Sequence, residues 1–475
     1  MAGQTATRAN TVARKPAAGK GAAATGRGAS RRPDTTGPAK ISRREFDRRR
    51  TALMAMMPAD SIAILPAAPE RIRNRDVEFP YRQDSDFYYL SGFPEPRSVL
   101  VLRPGNPHGE AVLFCQDKEP ELERWNGRII GQGEAVDSYG FDDAFPIKDI
   151  DDILPGMLES ASEVFYDYGA NEAFDANVTR WLNRIRTQIR EGARLPDSIK
   201  PLQYNLHHLR SYKSAEEIKV MREAGRISAE AHMAAMKLCK PGMYEYELEA
   251  IINYEFARQG AVSWAYPAIV GGGANACILH YRENNQKLKD GDLVLIDAGC
   301  ELAYYAADIT RTFPVNGRFT AEQKALYDIV LEAQLQSIQQ VMPGKHWNEP
   351  HEASVRVITQ GLKDLKILKG SMDELLETKA YMRFFMHKTG HWLGMDVHDV
   401  GSYKVDRQWR QLEPGMVMTV EPGIYIDPDA DGVAKRWHGI GIRIEDDVCV
   451  GKNGPDVLTE KVPKRTEDIE QLMAS

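Results

Sequence analysis

Five residues between positions 293 and 447 have side chains of the types that bind metal ions in proteins. Each follows or lies within an apolar, strand-forming run. Asp297, for example, ends the run 293–296, which comes after a Lys-Asp-Gly turn. A carboxylate at the end of a buried strand costs free energy unless it is paired or bound to a metal. The five candidate metal ligands are Asp297, Asp308, His391, Glu421 and Glu445.

The spacing of the first two candidates predicts that they meet. Asp308 lies eleven positions after Asp297, in a second β-prone stretch at 307–313. In two antiparallel strands joined by a short, even-numbered loop, positions an odd number apart lie on the same face. We therefore expect a hairpin that brings both carboxylates together.

The remaining acids are expected at the ends of two later strands. Glu421 follows a strand predicted over 416–420, between Glu-Pro-Gly and Pro-Gly turns. At 440–445, isoleucines alternate with Gly441, Arg443 and Glu445, the period-two pattern of a half-buried strand. Arg443 and Glu445 therefore share a face, where the guanidinium would keep a carboxylate ionised and oriented. Tyr425 lies an even step beyond Glu421 and is expected to hydrogen-bond a carboxylate of the cluster.

Four carboxylates with one imidazole form a hard, oxygen-rich donor set. Such a set suits Mn²⁺ or Co²⁺ better than a structural zinc site, which favours thiolates. Two bridging carboxylates would hold two ions about 3.5 Å apart. The alternative is that each acid caps a turn or pairs with a nearby arginine, as single acids in loops often do. The shared apolar context of all five favours the joint metal site.

Five motifs carry these residues: Asp-Leu-Val-Leu-Ile-Asp-Ala-Gly at 292–299, Ala-Asp-Ile-Thr-Arg-Thr-Phe at 307–313, His-Trp-Leu-Gly at 391–394, Val-Glu-Pro-Gly at 420–423 and Gly-Ile-Arg-Ile-Glu-Asp-Asp at 441–447. In combination they resemble the motifs of Xaa-Pro aminopeptidases of the bacterial aminopeptidase P type, which are metallopeptidases with the pita-bread fold. The resemblance covers nearly the whole chain from about residue 41. One departure is Ala307, where the resemblance leads us to expect glycine.

The resemblance implies roles for catalytic and substrate-binding residues. Glu421 would take the proton of the attacking water and pass it to the proline nitrogen, while His280 and His398 would donate to the developing oxyanion. From spacing alone, His280 would more often be a core residue, and His398 need not be a ligand. The implied substrate-binding residues are Tyr266, Tyr403, Arg407, Asp76 and Trp125.

Trp125 also bears on the assembly. In the family that this chain resembles, the matching tryptophan reaches into the site of a neighbouring subunit, which implies a homotetramer, with a dimer as the other possibility. The alternative for Trp125 is the ordinary partial burial of a large aromatic side chain.

The chain is predicted to be of the α+β class, with two domains and a basic tail. We expect a disordered tail over 1–40, a smaller α/β domain over 41–205 and a pita-bread catalytic domain over 206–475. Strands are expected at 61–65, 86–90, 98–102, 111–114 and 164–168, and a helix at 171–191. Ser-Ala-Glu-Glu at 214–217 is a capping box that begins a long helix, and a second helix covers 245–259.

Composition limits the classes of protein further. Residues 1–50 hold 13 Lys or Arg against 3 Asp or Glu. This charge is typical of a transit peptide or a nucleic-acid-binding arm, but we prefer an unselected solvated extension and predict no nucleic-acid partner. The 5 cysteines lack paired spacing, which indicates a reducing, cytoplasmic compartment. No apolar stretch is long enough for a membrane span, so no membrane partner is expected.

The predicted activity is hydrolysis of the N-terminal Xaa-Pro bond of peptides by a hydroxide that bridges two metal ions, and the expected metal is Mn²⁺. The proline requirement comes from the resemblance alone. A prolidase, which cleaves Xaa-Pro dipeptides, is the nearest alternative. A metal-free pita-bread binding or scaffold protein is an alternative of another class. A methionine aminopeptidase fits less well because of the large first domain, and a creatinase-like amidinohydrolase because of the ligand set.

Overall fold

The computed structural model describes residues 39–159 and 161–475. The predicted disordered tail falls on residues of which 1–38 lie outside the described part of the chain. Within that described part, no helix combines the length and the apolar character that a membrane crossing requires.

The first half of the chain forms a mixed six-stranded sheet with helices around it. The sheet has the strand order β6-β5-β4-β1-β7-β8, in which β1 is antiparallel to β4 and parallel to β7. The elements are α1 (Arg43–Met54), β1 (Ser61–Pro66), β2 (Ile72–Asn74), β3 (Val77–Glu78), α2 (Ser85–Ser91), β4 (Val99–Leu102), β5 (Ala111–Cys115), α3 (Pro120–Asn126), α4 (Gly131–Tyr139), β6 (Asp143–Pro146), α5 (Ile150–Glu159), β7 (Glu163–Phe165), α6 (Glu172–Thr187), β8 (Ser198–Lys200) and α7 (Gln203–Ser211).

This sheet is apolar on both faces, which explains its continuous hydrophobic strands. Ile62 and Ile64 of β1 pack in one cluster with Leu158 of α5 and Trp181 of α6. The alternate residues, such as Leu65, belong to the large core that the two halves of the chain share. Since side chains of a strand alternate between faces, a run such as Ile-Ala-Ile-Leu satisfies both cores at once.

One predicted strand of this half is wrong. Residues 86–90 lie inside α2, whose N-cap Asp84 accepts a hydrogen bond from the backbone N–H of Phe87 at 2.9 Å. Gly92 ends the helix in the left-handed conformation. A short apolar and aromatic run does not by itself distinguish a strand from a buried helix, and the capping residues decided it here. The strand predicted at 164–168 is also shorter, because β7 ends at Phe165.

The second half of the chain forms small antiparallel sheets enclosed by long helices, in the pita-bread arrangement. The strand orders are β10-β11-β14, β13-β12-β9, β17-β20-β21 and β18-β19. The elements are α8 (Ala215–Leu238), α9 (Glu245–Arg258), β9 (Ser263–Trp264), β10 (Ile269–Gly272), β11 (Leu293–Asp297), β12 (Cys300–Leu302), β13 (Tyr305–Ala306), β14 (Thr310–Pro314), α10 (Ala321–Ile338), α11 (Glu349–Asp364), α12 (Met372–Glu377), β15 (Lys404–Val405), β16 (Gln408–Trp409), β17 (Val417–Val420), β18 (Gly423–Ile426), β19 (Ile440–Arg443), β20 (Asp446–Val450), β21 (Pro455–Val457) and α13 (Thr466–Met473).

The predicted capping box is present at the start of α8. The Ser214 hydroxyl accepts from the backbone N–H of Glu217, and the Glu217 carboxylate accepts from that of Ser214. The domain boundary at 205/206 stays a prediction; it falls inside α7.

The connection between the first two acidic strands differs from the predicted hairpin. β11 and β14 do pair antiparallel, with Asp297 opposite Thr310. However, the chain between them makes a further hairpin, β12–β13, so no short loop joins them. The close approach of Gly299 to the backbone of Ala307 makes this detour possible, since a Cβ on Gly299 would lie 1.7 Å from the Ala307 carbonyl oxygen.

Candidate metal centre

The carboxylates of Asp297 and Asp308 meet at one tyrosine. Asp297 is the last residue of β11, and Asp308 lies two residues before β14. The Tyr266 hydroxyl donates to Asp297 Oδ1 at 2.7 Å and also contacts Asp308 Oδ1. A residue predicted to bind substrate thus holds two candidate ligands together.

A break between β19 and β20 directs Glu445 into the same cluster. The predicted continuous strand 440–445 ends at Arg443, and the Glu445 backbone N–H donates to the carbonyl of Thr310 at 3.0 Å. The Thr310 hydroxyl donates to Glu445 Oε2 at 2.6 Å and accepts from Arg443 Nε at 3.2 Å. Arg443 also donates to Asp297 Oδ2 at 2.6 Å. Arg443 and Glu445 therefore contact the same threonine, in agreement with the shared face expected from their spacing.

His391 and Glu421 complete the cluster from the opposite side. The backbone of β17 holds both, because Thr419 N–H donates to the His391 carbonyl and Glu421 N–H donates to the Thr389 carbonyl. His391 Nε2 lies 3.5 Å from Asp308 Oδ2 and 3.8 Å from Glu421 Oε1. Its Nδ1 lies 3.0 Å from the Trp392 carbonyl oxygen, which leaves Nε2 facing the acids.

All five candidate ligands line one cavity of about 390 Å³. His280 and His398 line it as well, and both are exposed towards its opening. The rings of His391 and His398 meet edge to face, with centroids 4.4 Å apart. The cavity therefore combines a buried acidic floor with imidazoles at the rim.

The negative charge of these buried carboxylates is only partly compensated by the cations around them. Burial, and then the charges of Asp308 and Glu421, raise the pKa of Glu445 well above its usual range. Burial also raises the pKa of Glu421, to about 7, although His391 and Arg443 oppose the shift. The pKa of Asp297 is raised by burial against the charge of Arg443. Folding thus concentrates acids that would be stabilised by added positive charge.

The pKa of the His391 imidazole is also raised, but by the neighbouring acids and against the effect of burial. Burial would lower the pKa of His391, but its hydrogen bond with Asp308 and the charge of Glu421 raise it to about 9. Without a metal ion, the His391 imidazole thus binds a proton, which supplies the positive charge beside the acids.

The donor atoms fit a divalent metal ion. Ligand atoms of Asp308, His391 and Glu445 all lie within 4.8 Å of one another. Oxygen donors with one imidazole suit hard or borderline divalent ions. Asp297 and Glu421 flank this group in the same cavity, which provides donors for more than one ion.

Several predicted site residues lie outside this cavity. The Tyr425 hydroxyl accepts from Arg443 and lies 2.9 Å from His387 Nε2, so it supports the arginine and does not bond a carboxylate of the cluster. Tyr403 packs on Trp392, whose backbone N–H donates to its hydroxyl. The other three are exposed: Arg407 at the tip of the β15–β16 hairpin, Asp76 between β2 and β3, and Trp125 at the end of α3.

Sequence reasoning missed two contributors to the site. Thr310, which links Glu445 to Arg443, follows Asp308 by two residues, and that even spacing could have indicated a shared face. His387 also lines the cavity, and its Nε2 lies 2.9 Å from the Tyr425 hydroxyl. Its position four residues before His391 was the available signal.

Known proteins share this fold and this chain organisation. The profile of metallopeptidase family M24 matches residues 219–452, and that of the aminopeptidase P N-terminal domain matches residues 46–166. The Xaa-Pro aminopeptidase of Escherichia coli is 48% identical over 437 residues, which cover 92% of this chain and 99% of that protein. The chain therefore belongs to metallopeptidase family M24.

Solved structures indicate which branch of that family this chain resembles. The structure of Pseudomonas aeruginosa aminopeptidase PepP has 59% sequence identity and a TM-score of 0.91, and the match covers 92% of this chain and 99% of that one. Zinc-substituted Escherichia coli aminopeptidase P in complex with product has 48% identity and a TM-score of 0.89, with the same coverage. The branch is that of the Xaa-Pro aminopeptidases, and the two-domain architecture and enzyme class predicted from the sequence are confirmed.

Proposed function

We propose that this chain removes the N-terminal residue of peptides whose second residue is proline, using two divalent metal ions held by Asp297, Asp308, His391, Glu421 and Glu445. The observation that carries the proposal is the convergence of these donors, from separate strands and loops, in one cavity whose buried acids outnumber the neighbouring cations. The names of the relatives support the Xaa-Pro specificity and do not favour the dipeptidase alternative.

Manganese is the proposed metal because the donor set is rich in carboxylate oxygen. Two such ions would lower the pKa of a water between them and supply a nucleophile at neutral pH. The related zinc-substituted enzyme was solved with its product, so the ligand geometry of this branch also accepts zinc. Arg443 holds Asp297 in place by charge and hydrogen bond, and the Thr310 hydroxyl does the same for Glu445.

The chain supplies the proton transfers and the oxyanion donors itself. Glu421, whose carboxylate lies at the cavity wall beside His391, would receive the proton of the attacking water and pass it to the proline nitrogen as the bond breaks. His280 and His398, at the rim, would donate to the oxyanion that forms on the scissile carbonyl. The free α-amine of the substrate would lie beside Asp297 and Asp308, which limits cleavage to the first bond.

The remaining predicted contacts concern peptide selection and assembly. We propose that Tyr403, Arg407 and Asp76 contact the peptide and that Trp125 enters the cleft of a neighbouring subunit in a homotetramer or dimer. The Trp125 side chain is 87% exposed and lies outside the cavity of its own chain, which supports a partner contact. We expect Trp125→Ala to raise KM for peptides longer than a tripeptide about tenfold with little change in kcat. The control is Tyr204→Ala, which removes an exposed aromatic on α7. An unchanged KM in the Trp125 variant would contradict this contact.

The cytoplasm is the proposed compartment, because cysteines 115, 239, 277, 300 and 449 are free in the described part of the chain.

One assay distinguishes the alternatives. Metal-depleted protein is assayed with an Xaa-Pro-Xaa tripeptide and an Xaa-Pro dipeptide, before and after addition of Mn²⁺. Tripeptide cleavage that returns only with Mn²⁺ supports the proposal. Cleavage of the dipeptide alone would favour a prolidase, and absence of cleavage with Mn²⁺ bound would favour a binding protein.

A further inference from the structure

A buried group of charges links the first domain to the loop that carries His398. Asp399 is 1% exposed at its side chain, and its carboxylate accepts from Arg210 at 2.6 Å and from Lys213 at 2.9 Å. Both cations are buried as well. Arg210 also donates to Asp396 at 2.8 Å and to Asp86 at 2.6 Å. We call these five residues the Arg210 clamp.

Backbone hydrogen bonds and the Arg210 clamp together hold the loop 394–399 in place at both ends. The Asp399 backbone N–H donates to the Trp392 carbonyl at 2.9 Å, and the Gly394 N–H donates to the Asp396 carbonyl at 3.2 Å. Gly394 approaches so closely that a Cβ there would lie 2.1 Å from Asp399 Oδ2 and 2.9 Å from Lys213 Cε. The backbone of His398, which directly precedes Asp399, is therefore fixed by a carboxylate that cannot move without disturbing two cations.

The His398 imidazole depends on that backbone for its position. In the part of the chain that the structure describes, no side chain hydrogen-bonds this ring, whose neighbour is the ring of His391. A donor to an oxyanion must be held to within a fraction of an ångström, and a side chain without hydrogen-bond partners acquires that precision from its backbone.

The first domain contributes three of the contacts. Asp86 lies on α2 and pairs with Arg210, while the Ser85 hydroxyl donates to Asp396 Oδ1 at 2.6 Å. Arg82, just before α2, donates to the carbonyl of Met395 at 2.8 Å. Helix α2, which the sequence did not predict, thus lies directly against the His398 loop.

We propose that Asp399 is a positioning residue for His398, and that through Asp86 and Ser85 the first domain sets the geometry of this oxyanion donor. The inference rests on the proposed function, because it assumes that His398 stabilises the oxyanion. It adds a catalytic reason for the first domain to be present in the same chain. The charges of Lys213 and Arg210 outweigh burial and lower the pKa of Asp399, so its carboxylate is ionised at neutral pH.

The test is a double-mutant cycle on the full-length, Mn²⁺-loaded enzyme with a tripeptide substrate. Asp399→Asn keeps the shape of the side chain and removes its charge. We expect it to lower kcat about 30-fold, with KM within about twofold, because His398 is displaced without loss of substrate contacts. In the His398→Ala background the same change should lower kcat less than about threefold. Equal losses in both backgrounds, or an unchanged kcat in the single variant, would overturn the proposal.

Ser85→Ala provides a milder perturbation where the charge change prevents folding. It removes one hydroxyl contact from the first domain, and we expect kcat to fall about threefold, again only when His398 is present. The matched control is Ser42→Ala, which removes a 2.9 Å hydroxyl contact with Glu216 that does not involve the His398 loop. Its kcat should be unchanged. If Ser85→Ala lowers kcat no more than the control, the role of the first domain is disproved.

The cycle also separates this inference from the proposed function. A normal kcat for His398→Ala would remove the oxyanion role and the inference with it. A large loss for His398→Ala together with an unchanged Asp399→Asn would leave the proposed function intact and overturn the clamp alone.

Discussion

Glu445 and Asp446 are consecutive, both are buried, and their surroundings are opposite in charge. Asp446 faces Arg311 at 2.7 Å, Lys464 at 2.6 Å and the amide of Gln334 at 2.7 Å. Burial would raise the pKa of Asp446, but the charges of Arg311 and Lys464 hold it at about 2. This side of the chain stabilises its carboxylate with protein groups alone.

Glu445 faces other acids instead. Its described side-chain hydrogen bond comes from the Thr310 hydroxyl, and its pKa is raised by burial and then by Asp308, Glu421 and Asp297. One residue of backbone therefore separates a self-sufficient carboxylate from one that requires an external cation. The comparison teaches that acidic character alone does not identify a metal site; a surplus of buried acids over the neighbouring cations does.

The largest expected effect is on the Glu445 side of this comparison, at the proposed base. Glu421→Ala should lower kcat with a tripeptide at least about 10³-fold, because both the proton acceptor and a metal ligand are removed. The matched control is Asp427→Asn, an exposed acid six residues later, which should keep its kcat. Turnover of the Glu421 variant close to that of the control would contradict the assignment of the base.

Replacing the carboxylate of Glu445 or of Asp446 by the corresponding amide tests the comparison directly. In metal-free protein, Asp446→Asn should lower the free energy of unfolding by about 3–5 kcal/mol, since it removes the carboxylate that neutralises the buried Arg311 guanidinium. Glu445→Gln should raise it by about 1–3 kcal/mol at pH 7, because the cost of keeping a raised-pKa acid protonated disappears. The measurement is urea unfolding followed by tryptophan fluorescence. Destabilisation of similar size by both substitutions would refute the difference between the two sides.

The pH dependence of metal stabilisation should follow from the same raised pKa values. A carboxylate whose pKa is raised on folding binds protons in the folded state, so metal-free stability falls as pH rises from about 4.5 through the folded value, about 7 for Glu421. The pKa of His391, raised to about 9, acts in the same direction above its ordinary value of 6.5. Metal ions displace these protons, so the Tm increase caused by Mn²⁺ should grow between pH 5.5 and pH 8. A constant increase would show that the metal does not compete with protons.

Asp446 provides the opposite pH window within the same protein. The lowered pKa of Asp446 means that its carboxylate stabilises the fold above the ordinary value of 3.8, and that contribution is lost as pH falls towards about 2. Because Asp446 is not one of the proposed metal ligands, Mn²⁺ should not change this loss of stability at low pH.

The sequence predicted the reactive side of this comparison better than the structural side. Asp297, Asp308, His391, Glu421 and Glu445 were indicated by their β-prone, apolar contexts and by the resemblance to a family, and the structure brings them into one cavity. The partners of Asp446 lie 18 to 135 residues away and on separate elements, and nothing in local periodicity marks such pairs. Buried ion pairs depend on tertiary packing, which the pattern of one strand does not contain.

The errors in the fold have a similar origin. Helix α2 was predicted as a strand because its apolar and aromatic residues fit both periods, and the N-cap at Asp84 was not recognised. The hairpin predicted between Asp297 and Asp308 has the right pairing partners but an additional hairpin in its loop. The two carboxylates do meet, at the Tyr266 hydroxyl, whereas the route of the chain between them depends on packing around Gly299.

The smallest expected effect is at Lys464, which pairs with Asp446. Lys464 is partly exposed, and Arg311 remains to compensate Asp446 when the lysine is removed. Lys464→Met should therefore lower the free energy of unfolding by only about 1 kcal/mol. The control is Lys324→Met, which removes the exposed pairs with Glu467 and Asp328 and should cost less than about 0.5 kcal/mol. Because neither lysine lines the metal cavity, kcat and the Mn²⁺-induced Tm increase should be unchanged in both variants. A smaller Mn²⁺-induced Tm increase in Lys464→Met alone would mean that the carboxylates of Glu445 and Asp446 are energetically coupled through the backbone that joins them. The two carboxylates would then not be independent sites.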